Sequence, residues 1–531
     1  MTIKRGAGHD GRPPFRSPQL QAYLRDEEGY VLGLVMLVLM VIGMMSTTLV
    51  AGIIVNQQHV RRDRAYTLSL GVAEAGLNQY LWMVASGTTN EAMGYAIAGN
   101  DTDSDPLYEA FNLNDPYDGE IQGRYAIQVT PPSASDSNVT VTVTGQSTQT
   151  VDVPRTVQAH IGRPAFSEYV LLVDESVYIG GPLSRVWHGK THSNTGIRIE
   201  TANIVDSVSS ARSTYDYSGT TKAGVWSQDV PGGDASRALW HFPVPPIDFS
   251  TVTSDFARLN GLATNSVPNP YVNLPYVNPV SGQPHGWYIK LLPGSQYKVA
   301  QVTNEVQSRT YSSGDKKGGY LTYAFNGGAA GSLSPAYNYP PNGVIYANDN
   351  VWVEGAGVEG RITIATSGQL NPTGKTALTS VYIIGDLTYA RKDGTVAVGL
   401  IGQNNIEIPM YAPYMKVGSL GSQISSPGTL NMEVDAAVIA QQGKEYVRND
   451  SSGSSSSWGP RRNMLTMYGA VSTLLTPYRM TYSGSDYAGF ANGTNSYDSY
   501  LLRNPPPFFP TVGSFQILDW QELPSSASVL Q

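Results

Sequence analysis

The stretch YVLGLVMLVLMVIGMMSTTLVAGIIV, residues 30–55, decides the fold. It runs 26 residues without one charge. A helix rises about 1.5 Å per residue, so a run of this length crosses a bilayer core of about 30 Å with some tilt. Two blander readings compete with a membrane span. A buried core helix is rarely this long and this uniformly apolar. A secretory signal has an apolar region of about 7–15 residues followed by a small-residue cleavage site, and no clear A-x-A follows here. Loop charge does not orient the span, because Arg12, Arg16 and Arg25 precede it while Arg61, Arg62 and Arg64 follow it.

Outward from this run, residues 1–29 are polar and carry both charge signs. Residues 56–86 contain no proline, and Leu70, Ala73, Leu77, Tyr80, Leu81 and Val84 recur at three- and four-residue spacing. That spacing predicts one continuous helix over 30–85, apolar all round in its first half and amphipathic in its second. The apolar half requires lipid or neighbouring helices. The second half requires a head to pack on. Arg61, Arg62 and Arg64 are placed to snorkel to a membrane interface.

The leader and helix together resemble a known family. A leader of mixed charge ending in Gly29, followed by an aromatic-led apolar helix, resembles the class III signal of type IV prepilins. Ser46-Thr47-Thr48 within the apolar run, then Arg64-Ala65-Tyr66 and Ala73-Glu74-Ala75-Gly76-Leu77, are similar to the N-terminal region of PilX-type minor pilins. The resemblance covers residues 20–85. It implies cleavage by a prepilin peptidase between Gly29 and Tyr30, and methylation of the new amine on Tyr30. It also implies a helix that anchors in the cytoplasmic membrane, head outside the cytoplasm, before packing with other pilins in a filament core. One position departs from the family. Major pilins carry Glu at the fifth mature position, where it is thought to pair with a neighbour's terminal amine, and this chain has Leu34. Pilin-like subunits without that Glu tend to sit at the tip or to initiate assembly. The bulk of the head, about 445 residues after the helix, also suits a tip better than a stacked shaft.

Composition bounds the head. Charged residues make up 14% of the chain, low for a globular protein, and 55 Gly and 33 Tyr accompany abundant Ser, Thr and Asn. This mix suits strands joined by turns. The absence of cysteine excludes disulfides, thiolate metal sites and Cys nucleophiles. A net charge of −8 gives no global sign of a nucleic-acid binder.

The runs at 124–130, 138–145 and 153–162 alternate and are separated by Pro131-Pro132 and Gly145, which predicts a small antiparallel sheet. From about Ser167 short apolar runs recur between Gly, Asn and Asp, as in GVIYANDNVWVEG (343–355), SVYIIGDLTYA (380–390) and VDAAVIAQ (434–441). Two strands around a polar corner without a hairpin signal are what a coil of a parallel β-helix requires. A β-sandwich is the alternative. The expected class is therefore mainly β with one long N-terminal helix: a pilin-like helix with a small antiparallel sheet, then a large irregular solenoid. The divisions are a leader at 1–29, the helix at 30–85, the antiparallel region at 86–166 and the solenoid head at 167–531. Residues 212–342 and 451–460 are read as loops on the solenoid.

Candidate chemistry is sparse. Asp101, Asp103 and Asp105 alternate as in a calcium loop, but Pro106 and Asn112 stand where an EF-hand needs Gly and Glu, so a solvated loop is the better reading. His188, His192 and His241 are candidate metal or acid–base groups, yet the segment 187–194 reads as a turn and no H-E-x-x-H is present, which favours hydrogen-bonded histidines. A β-helix hydrolase or lyase needs two carboxylates at one bond. Asp174-Glu175 would point to opposite faces of a strand, and Asp386, Asp393 and Glu407 are scattered. Lys316-Lys317 beside Tyr320, and Arg461-Arg462 after Trp458, interleave basic and aromatic residues as a single-strand DNA contact would. Asn138 and Asn492 fit a glycosylation pattern and read as incidental.

These readings favour a non-enzymatic minor pilin acting in assembly or adhesion, without cofactor or small-molecule substrate. Its expected partners are other pilins, the prepilin peptidase and a surface ligand. A DNA receptor for competence and a tethered polysaccharide-active β-helix enzyme are the alternatives.

Overall fold

The computed structural model describes residues 20–87, 107–132, 138–148, 153–180, 185–199, 203–204, 206–228, 238–265, 269–277, 285–307, 311–312, 315–316, 319–368, 378–413, 430–448, 461–483 and 486–524. Helix α1 spans Leu20–Ser86, 67 residues and therefore about 100 Å. It begins ten residues before Tyr30, because no proline follows Pro18 to stop it. It ends at Gly87, whose φ of 68° is the left-handed cap that glycine adopts without strain. From Tyr30 to Arg64 every residue is exposed, and burial begins at Ala65.

The second half of α1 lies on an antiparallel sheet. Its strands are β1 (Tyr108–Asn114), β2 (Ile121–Thr130), β3 (Val139–Ser147) and β4 (Arg155–Gly162), with the C-terminal strand Gln516–Leu523 paired to β4. In β3 the period of two is clean: Val139, Val141 and Val143 are fully buried. They meet Val72, Ala73, Leu77, Tyr80 and Val84 of the helix, with Leu70 and Leu81 at the flank. Two strands lie outside the sequence reading. Tyr108–Asn114 fell within the segment read as an acidic loop, yet LYEAFNLN pairs along its length with β2. The strand Gln516–Leu523 fell within the stretch assigned to the solenoid, and its partner β4 stands some 350 residues earlier.

Between β4 and that last strand the chain builds a three-faced parallel β-helix, not a sandwich. On its first face Val344–Ala347, Arg361–Thr366, Ala397–Gly402 and Asn431–Ala440 stack in parallel register. Polar corners such as Asn348-Asp349 and Asn404-Asn405 turn the chain to the second face, where 351–353, 381–383 and Ile406–Ile408 stack. Most inward side chains are Ile, Val and Leu, fully or almost fully buried. The region 212–342 is not loop throughout. It supplies helix α2 (Thr251–Thr264), a strand at Asn273–Leu274 that ends the first face, and the strands Gly286–Leu292, Gln296–Val306 and Tyr320–Ala324, which pair antiparallel with one another. The Pro, Tyr and Asn content that suggested loops supplies the corners between these elements. Residues 449–460 lie outside the described residues.

The order of the coils departs from chain order. Along the first face, Trp240–His241 pairs with Val208–Ser210, then Thr191–Ser193, then Leu171–Val173. The next partner is not a nearby segment but the end of Arg461–Thr473, followed by Asn431–Ala440 and onward to Asn273–Leu274. The chain thus enters the stack in its middle, winds to one end and crosses to the other. It then winds back and leaves beside the point where it entered. The two connections are tied together, with Phe166 N–H donating to Pro510 O at 3.0 Å and Val512 N–H to Pro164 O at 2.7 Å.

Candidate functional site

The first candidate surface is the exposed half of α1. Tyr30, Leu34 and the residues through Val55 present apolar side chains on every side, and Leu34 is 64% exposed. The hydroxyls within the run do not interrupt it. Thr47 donates to Met44 O at 2.8 Å and Thr48 to Met45 O at 2.9 Å, so both are satisfied inside the helix. The helix backbone passes unbroken through Gly29 and Tyr30. Arg61, Arg62 and Arg64 follow, all exposed. Where the helix meets the sheet, the Tyr66 ring lies between the Arg62 and Arg155 guanidiniums, at 5.9 and 5.0 Å, and Arg155 pairs with Glu522 of the C-terminal strand.

The basic–aromatic candidates do not form a nucleic-acid groove among the described residues. Arg462 is corrected outright: it is fully buried, with Nε donating to Ala412 O and Nη2 to Pro409 O and Met410 O, each at 2.8 Å. Burial pushes its guanidinium down to about 9. The strand's period of two turns Arg462 inward and leaves Arg461 half-exposed. Lys316 belongs to a two-residue strand paired with Tyr311–Ser312, and Tyr320 opens Tyr320–Ala324 half-buried. Lys317 and Trp458 lie outside the described residues, as do Asp101, Asp103 and Asp105.

The carboxylates raised as catalytic candidates are each held by donors. Asp174 accepts from Asn194 Nδ2 at 2.7 Å, and Glu175 from Thr476 N–H at 3.0 Å. Asp386 accepts the Glu433 N–H, and Asp393 caps Thr395 through its backbone and hydroxyl. Glu407, only 1% exposed, accepts from Arg448 Nε at 2.6 Å, Tyr446 OH at 2.5 Å and Gln307 Nε2 at 3.0 Å. Across this cluster Glu305 accepts from Tyr411 OH at 2.6 Å and Trp352 Nε1 at 3.1 Å. Burial raises the Glu305 carboxyl above its ordinary value, and those two donors oppose the rise. The Trp352 and Tyr382 rings stack at 4.7 Å beside it. These groups fasten the strands Gly286–Leu292, Gln296–Val306 and Tyr320–Ala324 to the second face of the solenoid. Sequence spacing did not point to Glu305, which stands about 100 residues from Glu407.

The histidines part company. His188 is exposed at the end of Arg185–His188, whereas His192 lies within the strand Thr191–Ser193, 2% exposed. Among the described residues no three His, Asp or Glu side chains converge as a metal site. His192 does share a register row with Ser209, and Ser209 with His241. Asn138 is buried and donates to Arg503 O at 2.8 Å, while Asn492 is half-buried beside Asn463.

No family model matches the chain, and no curated protein matches it. Among solved structures, the crystal structure of the competence-associated pilin ComZ from Thermus thermophilus aligns over 86% of this chain and 97% of its own, with a TM-score of 0.31 and 12% identity.

Proposed function

We propose that this chain is a minor pilin whose helix enters a type IV pilus-like filament from Tyr30 onward and whose solenoid head projects at or near the tip, working in assembly or adhesion. The observation that carries the reading is the division of one unbroken helix. Residues 30–55 expose an apolar surface on all sides, and one face of residues 65–84 is buried against a five-stranded sheet. A helix built this way needs apolar neighbours for its first half, and lipid before assembly and sister helices after it supply them in turn. In this reading a prepilin peptidase cuts after Gly29, the Tyr30 amine is methylated, and Leu34 leaves the neighbouring amine without a carboxylate partner. The cytoplasmic membrane holds the subunit before assembly, with the head outside the cytoplasm. The burial of Arg462 removes half of the basic pair on which a DNA-receptor reading leaned, and the clamped carboxylates give no support to a tethered enzyme.

The test is N-terminal mass spectrometry of protein from native membranes, with and without the prepilin peptidase. The expected chain begins at N-methyl-Tyr30 only when the peptidase is present. A retained leader in both preparations refutes the pilin reading.

A further inference from the structure

The outward side chains of the first face form a register column that changes character partway along. From one end it reads Tyr346, Ala365, Ile401 and Ile439, then Ser472, then Leu172, His192, Ser209 and His241. The apolar members are covered by α2 and by the segment carrying Leu501 and Phe509. From His192 onward the side chains turn polar, and a cleft of about 700 Å³ lies against them, with His192 still buried at its edge and Ser209 and His241 progressively more open. Its walls come from both chain connections and from residues 244–248. Tyr169, Pro164, Pro245, Pro246 and Val512 supply flat apolar surface, and Ser207 and Gln516 supply further hydrogen-bonding groups.

The polar floor is ordered. Asn194 donates through Nδ2 to Asp174 and to Ile247 O, so its Oδ1 accepts, taking the Ile247 N–H and His192 Nε2–H at 3.0 Å. His192 Nδ1 is then the acceptor, and Ser209 Oγ–H donates to it at 2.9 Å. That leaves the Ser209 oxygen lone pairs, the exposed His241 ring and the Gln516 amide at the cleft as donors and acceptors. Lys190 pairs with Glu168 at 2.6 Å, and Asp248 adds a carboxylate to the lining that accepts the Ser250 N–H and hydroxyl. The Tyr169 ring lies 5.8 Å from the His192 ring and forms a wall.

We propose that this cleft binds an uncharged sugar residue of a glycan chain. An anionic ligand such as a phosphodiester would meet the Asp248 carboxylate and, among the described lining residues, no lysine or arginine that is not already paired. A purely apolar ligand would strand the Ser209, His241 and Gln516 polar groups away from water without partners. A neutral pyranose satisfies both constraints, with hydroxyls for the polar column and C–H faces for Tyr169 and the prolines. The volume lies within the usual range for a ligand site. The proposal gives the adhesion reading a ligand class, but it rests on the head alone and stands even if the N-terminus is never processed.

The experiment titrates the full chain in detergent with neutral hexasaccharides of glucose, N-acetylglucosamine and xylose, and in parallel with oligogalacturonate and a single-stranded DNA oligonucleotide, by calorimetry at low and high salt. At least one neutral hexasaccharide is expected to bind with little salt dependence. Tyr169→Ala is expected to weaken it about tenfold or more, roughly the loss of one stacking contact. His241→Ala, at an exposed position where folding is not at stake, is expected to weaken it several-fold. Three results overturn the proposal: no binding of any neutral hexasaccharide, binding unaffected by both substitutions, or a salt-dependent preference for the charged probes.

Discussion

Gly145→Ala is the sharpest test of how the helix sits on its sheet. Gly145 does not have the positive φ that favours glycine, so the substitution asks only about space. A Cβ at this position would stand 2.3 Å from Ala73 N, 2.8 Å from Ala73 Cα and 2.8 Å from Ser69 O. Comfortable contact needs about 3.5 Å, so the helix must lift by roughly 1 Å at the point where it crosses β3. A gap of about 0.5–1 Å forfeits a quarter to a half of each dispersion contact behind it. Overpacking of this kind costs about 1–3 kcal/mol. The shift also breaks the hydrogen bond from Ser147 N–H to Ser69 Oγ at 3.1 Å, worth about 1 kcal/mol. The sum is about 2–4 kcal/mol, or roughly a 30-fold to nearly 1,000-fold fall in protection against exchange. Hydrogen exchange of the full chain by mass spectrometry would place that fall in residues 65–86 and in β2 to β4, with the solenoid amides unchanged. Ala73→Gly would not rescue it, because the atoms met are backbone. Full protection in the Gly145→Ala chain, or a loss spread evenly over the solenoid, would refute the argument.

Two further outcomes concern buried charge. Arg479→Met leaves Glu445, only 1% exposed, without its partner at 2.9 Å and removes the guanidinium from beside the Trp187 ring. It should cost about 3–5 kcal/mol in denaturant unfolding, and adding Glu445→Gln should recover much of that. Glu305 titrates in the opposite sense to a stabilising carboxylate. Its folded pKa lies above the ordinary 4.5, so the folded chain holds a proton that the unfolded chain has released. Stability therefore falls as pH rises from about 4.5 through the raised folded value. Glu305→Gln, which keeps an acceptor for Tyr411 and Trp352, should remove that slope from urea midpoints measured across the acid range. An unchanged slope would mean that the carboxyl is not desolvated as described.

What the sequence disclosed follows from the range of the interactions involved. The helix, its inward face and the strands β2 to β4 rest on periodicity within a few turns or residues, and they are where the spacing of Leu70 to Val84 and of Val139 to Val143 places them. The strand Gln516–Leu523 was not legible because QILDWQEL carries no period of two of its own and is fixed only by pairing with β4, some 350 residues earlier. The same holds for the column of His192, Ser209 and His241. Their separations in sequence carry no signal, and only the stacking register aligns them. Arg462 is a different kind of miss. It stands next to Arg461 at the start of a strand, and alternation implies that one of the two faces inward, but a pair of arginines invites reading as a surface patch.

The meeting of both connections at mid-stack governs how the head would carry a pull. Tension between a ligand held in the cleft and the helix would pass through residues 163–170 and 498–515 and through the Trp240–His241 rung beside the cleft, whereas the rungs at the Asn273–Leu274 end lie off that path. The two attachments would resist differently. β4 continues by covalent chain into β3, whereas a load on Gln516 would slide its strand lengthwise along β4. All the rows from Gln516 opposite Gly162 to Leu523 opposite Thr156 would then be strained together rather than opened one after another. Under such a pull the head would be held by a strand loaded in shear and braced beside a continuous tether.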